Sequence, residues 1–191
     1  MIRRIGPILQ GITLDRSTWD TSYHPHVHVH ALTRDFPVVS LTLSQGLKTT
    51  EGVPEGIPVD LHGDEFRDAA HRLEAQSSLS LREVPTLEHI VQRYRDYAVE
   101  VQCGRLPSAV SELEDSVLVP AAAGKGELAN ESIESVSRIA SGWSRAEAPQ
   151  GWESTKRWLA WLARRMHDAE GLATTVEEQI LKHGLSKVRA S

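Results

Sequence analysis

Four histidines, His24, His26, His28 and His30, occupy every second position of Tyr-His-Pro-His-Val-His-Val-His-Ala-Leu. In an extended chain successive side chains point to opposite faces, so the four imidazoles share one face while Val27, Val29 and Ala31 share the other. Imidazoles serve as general bases, nucleophiles or metal ligands. Histidines two apart in a strand lie about 7 Å apart at Cα, near enough to hold one ion together. A zinc or other divalent site would use His26 and His28, or His28 and His30, and needs a third ligand. His62, in Asp-Leu-His-Gly-Asp, is the candidate, with Asp60 and Asp64 beside it. Without an ion, the same pattern describes a strand whose histidine face is wet and whose valine face meets a core. That plainer reading is the expectation, with no cofactor and zinc as the alternative.

Two further groups have the composition of recognition surfaces. Residues 106–137 hold six acids, Glu112, Glu114, Asp115, Glu127, Glu131 and Glu134, against the single base Lys125. That excess equals the whole net charge of −5. A segregated acidic helical face steers a basic partner and speeds its association. Trp143, Trp152, Trp158 and Trp161 fall close together in a chain that is only 5% aromatic. Trp158 and Trp161 are three apart and flanked by arginines, with Trp158 read as set off from the Leu159, Leu162, Met166 line, a combination common in binding hot spots.

These residues must be positioned by two kinds of element, because the texture of the chain changes near residue 63. Before it, alternation and β-branched bursts predict strands over 23–32, 36–43 and 57–61, with Arg34-Asp35 as a tight turn between the first two. Residues 2–9 read as a short helix. After residue 63 the apolar period becomes helical. Phe66, Ala69, Ala70 and Leu73 line one helix, and Thr86 caps the next. Further helices carry Val110, Leu113 and Val117, then Ile133, Val136 and Ala140, then Trp152, Leu159, Leu162 and Met166 up to Gly171. A last helix over 174–183 stops at Gly184, the residue type favoured just past a helix end. The expectation is an α+β fold: an N-terminal antiparallel meander of about three strands against a larger C-terminal helical bundle. Residues 1–191 are read as a single domain, strand-rich over 1–63 and helical over 64–191.

Composition excludes several classes. With 191 residues, 40% apolar and 25% charged, the chain is of ordinary globular type. One cysteine, Cys103, rules out a disulfide framework and a Cys-rich zinc module. No apolar run approaches a membrane span. The start of the chain lacks the long apolar stretch and small-residue cleavage site of a signal peptide. The expected location is cytoplasmic. The acidic balance argues against nucleic acid as a partner, and nothing in the sequence speaks to oligomeric state.

Two resemblances sharpen this. His26-Val-His28-Val-His30-Ala-Leu resembles the histidine-triad motif over seven residues. It implies that His28 is a nucleophile toward a nucleotide phosphate and His30 its orienting partner. The chain as a whole, acidic and with a single cysteine, strand-rich first and helical after, is similar in type to the bacterial immunity proteins that neutralise toxins. Phe36-Pro-Val-Val-Ser-Leu-Thr-Leu, the acidic segment 112–134 and the helix bearing Trp152 to Trp161 carry that likeness. It implies a protein-binding protein without turnover that occludes a basic toxin nuclease. Glu112, Glu114, Asp115, Glu127, Glu131, Glu134, Trp158 and Trp161 would then face the partner. A small metal- or histidine-dependent hydrolase using His26, His28 and His30 is the alternative.

Overall fold

The chain begins as a hairpin, not as the helix expected over residues 2–9. The computed structural model describes residues 2–16, 21–35 and 42–188. β1 (Ile2–Ile5) and β2 (Ile8–Arg16) pair antiparallel with Ile5 opposite Ile8, leaving Gly6-Pro7 as a two-residue turn. Gly6 has φ +54°, and the ring of Pro7 holds its own φ near −65°. Positive then negative φ is the order of a type II′ turn, whose twist suits two adjacent strands. The Gly-Pro pair that looks like a helix interruption is therefore a hairpin signal.

β3 (Ser22–Ala31) runs antiparallel along β2, from Tyr23 opposite Arg16 to Ala31 opposite Ile8. Its other edge is shared by β4 (Thr42–Gly46) and β5 (Ile57–Pro58), with His26 opposite Gly46 and Tyr23 opposite Ile57. The sheet follows the order β1-β2-β3-β4, with β5 added beside β3. Among the described residues it has five strands where about three were expected. Most of the strand anticipated over 36–43 lies outside the described residues, and its end is the start of β4.

Among the described residues six α-helices follow: α1 (His62–Gln76), α2 (Leu87–Glu100), α3 (Val110–Ala122), α4 (Gly126–Ser141), α5 (Thr155–Met166) and α6 (Ala169–Lys182). The fold is α+β. Local chemistry sets several of the ends. The Thr86 hydroxyl accepts the His89 N–H at 3.2 Å at the start of α2, and Gly184 takes φ +62° just past α6. Asp168 accepts the Gly171 N–H at 3.0 Å, so Gly171 lies in the first turn of α6 and does not end α5.

Val27, Val29 and Ala31 on one face of β3 are buried as expected. Val27 packs with Ala69 and Leu73 of α1, and Val29 and Ala31 pack with Ile90 and Tyr94 of α2. The helical layer is organised around α3, which touches α2, α4, α5, α6 and β4. Every residue from Leu113 to Pro120 is buried. A helix apolar all round belongs in an interior, and Val117-Leu118-Val119-Pro120-Ala121-Ala122-Ala123 is such a run. This placement changes what the acids at its N-terminal end can do.

Candidate functional site

Glu114 and Asp115 belong to the interior, not to an acidic surface. They are 6% and 0% exposed. Arg34, just past the end of β3, reaches both: one guanidinium nitrogen lies 2.6 Å from Glu114 Oε2 and the other 2.7 Å from Asp115 Oδ1. It also donates to the Ser111 carbonyl at 3.3 Å. The indole N–H of Trp158 donates to Glu114 Oε1 at 2.8 Å. The neighbouring residue Asp35 accepts hydrogen bonds from Gln179 and Lys182 of α6. The dipeptide read as a plain turn thus clasps the sheet to both α3 and α6.

The cluster is unbalanced. Glu112, Glu114 and Asp115 stand against one guanidinium, and burial opposes the charged form of each. Burial raises Glu112 and Glu114 above the ordinary carboxylate range. It pushes Asp115 up to about 7, against the pull of Arg34 and with added repulsion from Glu114 and Glu112. Asp115 Oδ2 is buried without a hydrogen-bond partner among the described residues. Burial first, and then two neighbouring acids, leave the Asp115 carboxyl partly protonated near neutral pH in spite of Arg34.

Arg34 and Glu114 also floor a cleft of about 630 Å³. Its walls are Leu106, Pro107, Val110 and Trp152, and Glu147 stands on its rim. The Trp152 ring is braced by Trp161, with ring centroids 5.2 Å apart. Trp158, expected to face a partner, is 0% exposed and lies 5.4 Å from the Trp143 ring. Its position on α5 puts it in line with the buried Leu162 and Met166, so the core stripe of that helix runs through Trp158. Trp161 is half-buried.

Of the six acids, only three are fully presented to solvent. Glu127, Glu131 and Glu134 are exposed on α4 at a spacing of i, i+4, i+7, which places them on one side of the helix. No ion pair engages them among the described residues.

The histidine face is not the wet surface expected. His28 is 5% and His30 1% exposed, while His24 and His26 are half-buried. Glycines on the facing chain make room for the outer two rings: a Cβ at Gly46 would come within 3.0 Å of His26 Cε1, and one at Gly56 within 2.8 Å of His24 Cε1. His28 Nδ1 lies 2.9 Å from the Thr13 hydroxyl of β2. Burial, then the neighbouring His30 and His26, lowers the His28 pKa to about 4, so its ring is neutral at pH 7. The His28 ring signals are expected to titrate near pH 4 in a ¹H–¹⁵N NMR series; a midpoint above 6 would contradict this burial.

His62 does not join His26 and His28. It packs between Tyr23 and Phe66, at ring-centroid distances of 4.9 and 5.1 Å, and Tyr23 points to the opposite face of β3 from the even-numbered histidines. Among the described residues no group of three or more His, Cys, Asp or Glu side chains is placed to hold a metal ion. Among them, too, no helix is long and apolar enough to cross a membrane.

Sequence reasoning missed Arg34, the cleft and Glu147. One signal was present: an acid pair leading directly into a long apolar run calls for a buried cation, although nothing local says which. No family model, curated protein or solved structure matches this chain.

Proposed function

We propose that the protein is a cytoplasmic protein-binding protein that acts by occupying a basic partner, without turnover. The observation that carries this reading is the stripe of Glu127, Glu131 and Glu134 on α4, exposed and free of ion pairs among the described residues. Uncommitted like charges in a row attract a basic surface from a distance and accelerate encounter. Neutralisation of a basic toxin nuclease, as immunity proteins perform it, is the form of this function that fits the type-level likeness. Glu114, Asp115 and Trp158 are buried in the helical core and Glu112 is half-buried on α3, so none of the four belongs to this exposed stripe. The hydrolase alternative on His26, His28 and His30 draws no support from a strand face whose two inner imidazoles are buried.

The test is charge reversal of the exposed acids alone. Glu127→Lys, Glu131→Lys and Glu134→Lys together should leave the fold intact, since all three side chains are exposed. Wild type and the triple variant are used as bait in lysate, and retained proteins are identified by mass spectrometry. A basic protein held by wild type is expected to associate with the variant about tenfold or more slowly at low salt, with the difference shrinking at high salt. Equal retention and equal association rates for the two baits would exclude the stripe.

A further inference from the structure

We infer that the cleft over Arg34 and Glu114 binds an alkylguanidinium group, the head of an arginine side chain. Three features of the cleft select that chemistry. The first is charge. Arg34 is the single cation among the described residues that line it, facing Glu114 on the floor and Glu147 on the rim, with Asp115 and Glu112 close behind. A second cation would restore the balance that Arg34 alone leaves short. The second is the Trp152 ring, which lines the cleft and is held by Trp161. A planar guanidinium stacks on such a face, gaining cation–π attraction at little desolvation cost. The third is the apolar wall of Leu106, Pro107 and Val110, which suits the aliphatic stem of an arginine better than a compact, strongly hydrated ion.

The carboxylates have capacity to spare. Each Glu114 oxygen accepts one hydrogen bond, from Arg34 or from Trp158, and a carboxylate offers about four acceptor positions. Glu147 makes no side-chain ion pair among the described residues. Glu114 is also rigid, being fixed at both oxygens and nearly enclosed. A pre-positioned carboxylate loses little freedom when a ligand arrives.

This site is separate from the α4 stripe and does not depend on it. The experiment titrates the intact protein with N-acetyl-arginine methylamide while following the Trp152 indole N–H by NMR. The citrulline compound, which keeps the shape and lacks the charge, runs in parallel. Saturable shifts with a dissociation constant on the order of 1 mM are expected for the arginine compound. The citrulline compound should bind about tenfold more weakly, and Glu147→Gln should weaken arginine binding about three- to tenfold. Glu147 is exposed, so this variant keeps the fold. The Glu127→Lys, Glu131→Lys, Glu134→Lys protein should bind the arginine compound as wild type does, which separates failure of this site from failure of the stripe. Absence of saturable shifts would overturn the inference, as would equal binding of the citrulline compound.

Discussion

Arg34→Met is expected to lower the unfolding free energy by about 3–5 kcal/mol at pH 8, the usual cost of leaving buried charge without its partner. The guanidinium bridges Glu114 and Asp115 at 2.6 and 2.7 Å, and both carboxyls are enclosed. Methionine roughly matches the stem and removes the hydrogen bonds from the head to Glu114, Ser111 and Asp115, so the loss is electrostatic more than steric. The effect should be smaller at pH 5, where the carboxyls take up protons and the uncompensated charge disappears. Adding Glu114→Gln and Asp115→Asn to Arg34→Met should return much of the lost stability at pH 8, because neutral amides need no counter-charge. Urea unfolding of the single and triple variants at both pH values measures this. A single variant within about 1 kcal/mol of wild type at pH 8 would mean that the acids are stabilised without Arg34.

Asp115→Asn carries the second large effect, and it appears in the pH profile. The folded-state pKa of Asp115 is pushed up from 3.8 to about 7 by burial. A group whose pKa rises on folding binds its proton more tightly in the folded state. Its contribution is complete below its unfolded pKa and is lost as pH rises through the folded value. The window here is pH 4 to 7, and the total change is about 4 kcal/mol. Asparagine takes no proton, so the stability of wild type relative to the variant should fall by about that amount between pH 4 and pH 8. Equilibrium unfolding of both proteins across this range decides it. Parallel profiles would show that Asp115 is ionised throughout. His28 acts in the opposite direction. Its folded pKa near 4 means that stability is lost as pH falls from its ordinary value near 6.5 toward 4. Over pH 4 to 6.5 the two groups oppose each other in wild type, and the variant uncovers the histidine's slope.

What local sequence determined is what local forces decide. Period-two alternation over residues 22–31 makes a strand whichever side is wet, and Thr86 caps α2 whatever packs above it. The change from strands to helices near residue 63, and with it the α+β class, follows from periodicity alone. Gly6-Pro7 was legible in principle. Its meaning turned on recognising a positive φ followed by a proline, and not on apolar period.

Burial is a different matter, because it depends on what arrives from elsewhere in the chain. The histidine and valine faces of β3 look like a wet and a dry face, yet His28 and His30 are as enclosed as Val27 and Val29. Glu114 and Asp115 have the signature of a solvated helix start, and their partner comes from Arg34, 80 residues earlier. Trp158 shares the i, i+4, i+8 stripe of Leu162 and Met166, so its burial was legible in the spacing; its partner was not, because the Glu114 that accepts its N–H lies 44 residues earlier on α3. The sequence by itself settled the histidine strand and the helices after residue 63, though not the N-terminal hairpin, because hydrogen-bond period and caps act within a few residues. Only the tertiary structure decided which acids stay in water and which are buried against a distant cation, because that choice is made by packing between segments far apart in the chain.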